Sequence, residues 1–108
     1  MPQLSTDATK LLIDCLGSVE RLEIFSMLAR ARGHAASIAD LSRDARLPPA
    51  IAKRVVGELE QAHLVETTSR GLVRVAIRDR DITAANEILA MYAEQPTVVT
   101  ALLSTRRR

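Results

Sequence analysis

The sequence predicts a mainly α-helical protein with one small β-hairpin. Apolar residues recur at three- and four-residue spacing over most of the 108-residue chain, which marks amphipathic helices. Only between residues 64 and 77 does the period shorten to near-alternation of β-branched residues. Glycine and proline, four of each, stand mostly at the joints between these periodic segments. With 47% apolar residues the chain has enough to form a core, too much for a disordered segment. One domain over residues 1–105 is expected, followed by a disordered basic tail, Arg106 to Arg108.

Asp7 is suited to cap a first helix whose buried positions are Ala8, Leu11, Leu12, Cys15 and Leu16, with Gly17 ending it. Ser18 caps a second, running to about Ala31, with Val19, Leu22, Phe25, Leu28 and Ala29 on its apolar face and Gly33 closing it. Ser37 and Asp40 form the pattern of a capping box, with Asp in place of Glu, and open a short helix that buries Ile38, Leu41 and Ala45. After the turn at Arg46-Leu47, Pro48 and Pro49 fit only the lead-in and first turn of the next helix, since an interior proline would break it. That helix reaches about Ala62 and buries Ile51, Ala52, Val55, Val56 and Leu59.

Strands follow at Leu64–Thr68 and Leu72–Ile77, joined by Ser69-Arg70-Gly71, where Gly71 allows a positive φ. Val73, Val75 and Ile77 share one face of the second strand, Arg74 and Arg78 the other. Asp81 or Thr83 starts a further helix with Ala85, Ile88, Leu89 and Tyr92 along one side. Pro96 interrupts it, and Thr97 caps a final short helix carrying Val98, Val99, Ala101, Leu102 and Leu103. Helix, short helix, turn, helix, hairpin is the order of a winged helix-turn-helix, here with extra N- and C-terminal helices. In such a fold the 48–62 helix enters a major groove and the hairpin lies along the backbone or minor groove.

The run from Leu16 to Ile77, about 62 of the 108 residues, resembles the ArsR-type winged-helix repressors. The resemblance rests on Leu16, Arg21-Leu22, Ile24 and Leu28, then Ile38-Ala39-Asp40-Leu41, Leu47, Val55, Leu59 and Ala62-His63-Leu64-Val65. It implies a sequence-specific, homodimeric, DNA-binding transcriptional regulator, a repressor; the single Cys15, which allows no internal disulfide, points to the cytoplasm. The chain departs from the family's metal sensors. The segment before the recognition helix, IADLSRDARL, lacks their paired cysteines, and residues 81–95 contain no histidine. Cys15, His34 and His63 are single and separated, whereas a metal needs three or four converging ligands, so neither metal nor cofactor is expected. His63 stands where the family usually has glycine and reads as a helix end. Cys15 reads as an inert thiol on an apolar stripe, with a redox sensor as the alternative.

Charge by position supports an anionic partner. Residues 30–80 hold ten Lys and Arg against six Asp and Glu, whereas the flanks 1–29 and 81–105 hold two against seven. The expected DNA contacts are Arg43, Arg46, Ala50, Lys53, Arg54, Arg70 and Arg74. Arginine reads a guanine edge bidentately, lysine and arginine bind phosphate, and Ala50 reaches only a thymine methyl. Glu58 would repel phosphate unless it faced a cytosine amino group, and Gly57 admits either a partner backbone or a neighbouring helix. The family commonly opens this helix with Ser, Gln and Thr; this chain has Pro48-Pro49-Ala50-Ile51-Ala52. That polar-poor start supports an alternative, a protein–protein interaction module that does not bind DNA.

Other classes are excluded at this level. The only aromatic residues are Phe25 and Tyr92, too few for a single-strand stacking platform. There is no phosphate-cradling loop, nucleophile elbow or Cys/His cluster, so no enzyme is expected. No apolar run approaches the roughly 20 residues of a membrane helix, and the N-terminus lacks the basic and apolar regions of a secretory leader. The outer helices, near residues 5–16 and 83–104, are expected to form the homodimer contact through Leu11, Leu12, Ile88, Leu89, Tyr92, Val98, Val99 and Leu102. The alternative is that these residues pack within one chain.

Overall fold

The computed structural model describes residues 4–106 and is mainly helical, with one small three-stranded antiparallel sheet. In order the elements are α1 (Thr6–Leu11), continued by a π turn (Leu12–Leu16), α2 (Val19–Arg30), β1 (Ala35–Ser37) and α3 (Ile38–Ala45). Then come α4 (Pro49–Gln61), β2 (Val65–Thr67), β3 (Leu72–Val75), α5 (Ile82–Glu94) and α6 (Pro96–Arg106). Short 3₁₀ turns at Arg32–His34 and Asp79–Asp81 precede β1 and α5. Contacts divide the chain into two units, one of residues 20–77, the other of the described parts of 1–19 and 78–108. Arg107 and Arg108, and the side chain of Arg106, for which a disordered tail was expected, lie outside the described residues.

Within residues 20–77, α2 is buried on more than one side, through Leu22, Ile24, Phe25 and Leu28. Ser37 adopts an extended φ/ψ and its Oγ accepts the Asp40 amide at 3.1 Å, the cap expected for α3. Helix α3 ends in a left-handed residue, Arg46 (φ 57°), and the Leu47 amide reaches back to the Ser42 carbonyl at 3.0 Å. The Ser42 hydroxyl, on a buried residue, donates to the Leu47 carbonyl at 2.5 Å and closes the turn. Pro48 then serves as N-cap and Pro49 as the first residue of α4, where a missing amide costs nothing. Ala52, Val55, Val56 and Leu59 form the buried stripe of α4.

At the other end of α4, His63 occupies the left-handed region at φ 61°. Its amide bonds to the Glu60 carbonyl at 3.0 Å and the Leu64 amide to the Leu59 carbonyl at 3.1 Å. This is a Schellman ending, in a position usually filled by glycine. The chain then enters β2, which pairs antiparallel with β3 in the register Val65↔Val75, Glu66↔Arg74, Thr67↔Val73. The loop Ser69-Arg70-Gly71 is closed by the Gly71 amide on the Thr68 carbonyl (2.9 Å), and Gly71 takes φ 80°. The sheet order is β1-β3-β2.

The second unit packs α1 and the π turn against α5 and α6, around Leu12, Leu16, Ala85, Ile88, Val99 and Leu103. Several expectations are corrected. Ser5, not Asp7, caps α1: its Oγ accepts the Ala8 amide at 3.1 Å, leaving Asp7 in the first turn. The helix does not run evenly to Gly17 but widens into the π turn before Gly17 (φ 71°) ends it. Residue Thr97 does not cap α6, because Gln95 accepts the first amides and Pro96 is already helical. Strand β3 stops at Val75, not Ile77. The sequence also gave no hint of β1, since Ala35-Ala36-Ser37 has little strand propensity and is extended by pairing with β3. Among the described residues no helix is long and apolar enough to cross a membrane.

Candidate nucleic-acid interface

The basic residues singled out above fall on three elements of the 20–77 unit. On α4 the buried stripe dictates the opposite face, and Ala50, Lys53 and Arg54 are exposed there. Gly57 continues this outward row one turn after Arg54, and a β-carbon placed on it would meet no atom within 4 Å. The choice left open for Gly57 is thereby narrowed: among the described residues no neighbouring helix occupies the space. Arg43 and Arg46 belong to α3 and the turn after it, and both are exposed. Arg70 is exposed in the hairpin loop and Arg74 is exposed on β3.

Their electrostatic states differ. Arg43 is bound to Asp40 at 3.1 Å and to Asp44 at 3.3 Å. Arg74 pairs across the hairpin with Glu66, its register partner. Arg54 Nε lies 4.0 Å from Glu58 Oε2, while Glu58 Oε1 accepts from Arg21 Nε at 3.1 Å. Arg46, Lys53 and Arg70 have no carboxylate within 4.0 Å among the described residues. Exposed pairs of this kind contribute about 0–1 kcal/mol, and they attenuate the positive field. The Arg21–Glu58 pair was not anticipated; its partners are 37 residues apart, and no local pattern announces it.

Of the eight residues expected at a dimer contact, four are buried within the chain. Leu11, Leu12, Ile88 and Val99 are at most 6% exposed, buried where α1, the π turn, α5 and α6 pack together, so they are spent within the chain. Leu89, Tyr92 and Leu102 are half-buried, and Val98 is 41% exposed.

In the same unit, Asp7, Lys10, Asp14, Cys15, Arg80 and Asp81 border an open cleft of about 420 Å³. Burial pushes the Cys15 thiol up from its ordinary value, and Asp81 and Asp14 add to this against Arg78 and Arg80. The thiol is therefore protonated at neutral pH, a poor state for a nucleophile. Among the described residues no three His, Cys, Asp or Glu side chains converge as metal ligands. The chain matches no family model, no curated protein and no solved structure.

Proposed function

We propose that residues 20–77 form a winged helix-turn-helix that binds double-stranded DNA, and that the chain acts as an ArsR-like homodimeric transcriptional regulator, a repressor working in the cytoplasm. The observation that carries this reading is the outer face of α4. It offers small residues, Ala50 and Gly57, beside Lys53 and Arg54, on a helix anchored by a buried stripe on its other side. A three-residue turn from α3 precedes it and a hairpin with Arg70 in its loop follows, the element order that such domains use on DNA. Leu89, Tyr92, Val98 and Leu102 remain as the dimer surface.

The test is a fluorescence-polarisation titration of random-sequence duplex at about 50 and 200 mM salt. Binding should weaken steeply with salt. Arg70→Ala should weaken all sequences alike and reduce the salt slope by about one. Arg54→Ala should cost about 1–3 kcal/mol on a preferred sequence if it reads a base. A folded protein without salt-dependent duplex binding refutes the proposal.

A second reading, a protein-docking module, draws on the neutralisation of Arg43, Arg54 and Arg74 by carboxylates and on the Pro-Pro-Ala-Ile-Ala start of α4. It is favoured if duplex binding is absent while substitutions on that start leave the fold intact.

A further inference from the structure

Glu58 is an acid on the helix proposed to face DNA, and that placement calls for an explanation. It is held from two sides. Arg21, on α2, donates its Nε–H to Oε1 at 3.1 Å, and Arg54, one turn earlier on α4, places its Nε 4.0 Å from Oε2. Side-chain exposure rises along this chain of charges, from 27% at Arg21 through 34% at Glu58 to 61% at Arg54. The least exposed member is thus the anchor and the most exposed is the one that reaches outward.

We propose that Glu58 is a positioning residue for Arg54. Held by Arg21, its carboxylate restrains the Nε side of the Arg54 guanidinium and leaves the two Nη groups as a fork for a partner. The fork suits a guanine edge, whose O6 and N7 accept two parallel hydrogen bonds. An exposed arginine without such a restraint must lose its rotamer freedom on every encounter, and a preset fork loses less. This also accounts for the acid on a DNA-facing helix: its charge is already satisfied by two cations. The inference rests on the proposed DNA reading for its target, but the restraint itself is measurable without DNA.

The experiment compares wild type with Glu58→Gln and Arg21→Gln, each checked for fold by circular dichroism. In the free protein, the Arg54 Nε–H group is followed by nitrogen-15 relaxation and hydrogen exchange. Both variants should lower its order and speed its exchange. Duplexes are then selected from a random library by each protein. Glu58→Gln should reduce the preference for guanine at one position about tenfold while random-duplex affinity stays level or rises, because a negative charge is lost. A purely structural tie between α2 and α4 would instead weaken selected and random binding together. Unchanged order at Arg54, an unchanged guanine preference, or parallel loss on all sequences overturns the proposal. If the wild type binds no duplex, the guanine target falls with the DNA reading, and the relaxation data separate that failure from a failure of the restraint.

Discussion

Replacing Gly57 by alanine separates what the helix needs from what its partner needs. Glycine inside a helix is about 0.8–1 kcal/mol less favourable than alanine, because its backbone loses more freedom on folding. Such a gain is cancelled where the added methyl collides, but nothing lies within 4 Å of the β-carbon position here. Gly57 also lies in α4 and is not among the glycines with positive φ, so no strain opposes the change. Gly57→Ala should therefore raise unfolding free energy by about 0.5–1 kcal/mol, or about 2–8 °C in Tm for a domain of this size. Urea and thermal unfolding followed by circular dichroism read this directly. If a DNA backbone approaches the helix at this point, the same variant should bind duplex more weakly, and Gly57→Leu more weakly still. Stability and binding then move in opposite directions. A loss of stability would refute the packing argument, and a gain in both would remove Gly57 from the interface.

His63→Gly should stabilise by about 0.5–1 kcal/mol, since φ 61° costs an L-residue about 1–2 kcal/mol and the glycine's greater unfolded freedom returns only part of that; His63→Ala, which keeps the strain, should not stabilise. Ser42→Ala should cost about 1–2 kcal/mol in denaturant unfolding, because it strips the Leu47 carbonyl of its donor in the α3–α4 turn. Cys15 should alkylate with iodoacetamide more slowly at pH 7.5, taken as about neutral, than a free cysteine does. Its raised folded pKa means that the folded state holds the proton longer than the unfolded chain. The stabilisation is fully present below the ordinary thiol pKa of 9.0 and is lost as pH rises through the raised folded pKa, a loss that Cys15→Ala should lack.

Helices were legible because their buried stripes recur within a single element. The α4 stripe of Ala52, Val55, Val56 and Leu59 was evident from spacing, though Ile51, expected in it, is only half-buried; the cap at Ser37 was evident too. What escaped was set by partners distant in sequence. Strand β1 exists because β3 pairs with it, and the Arg21–Glu58 bond joins two helices. Four of the eight residues expected at a dimer contact are covered for a related reason. An apolar stripe states that a face is covered, not by what, and Leu11, Leu12, Ile88 and Val99 are covered by helices of the same chain. At Arg46 and His63 the left-handed conformation is imposed by helix endings that side-chain identity did not announce.

The same distinction bears on charge, and the salt dependence of duplex binding tests it quantitatively. Counting cations in the sequence treats all six basic residues among the expected contacts as equal. In the structure Arg43, Arg54 and Arg74 already face carboxylates, whereas Arg46, Lys53 and Arg70 do not among the described residues. Each phosphate neutralised contributes about −0.9 to the slope of log K against log salt. Three free cations thus give about −2.7 per protomer, and six, with all the arginine pairs broken but Ala50 contributing none, give about −5.4. Pairs this exposed are worth about 1 kcal/mol at most, so a phosphate could in principle displace the carboxylate. Arg74 is held by its register partner on the neighbouring strand, however, and Arg43 by two acids on its own helix. The expected slope therefore lies near the shallow value. Glu66→Gln, which frees Arg74 without altering strand register, should steepen it by about one. A wild-type slope near the steep limit, unchanged by Glu66→Gln, would show that the carboxylates do not hold these arginines back, and a slope near zero would refute the DNA reading.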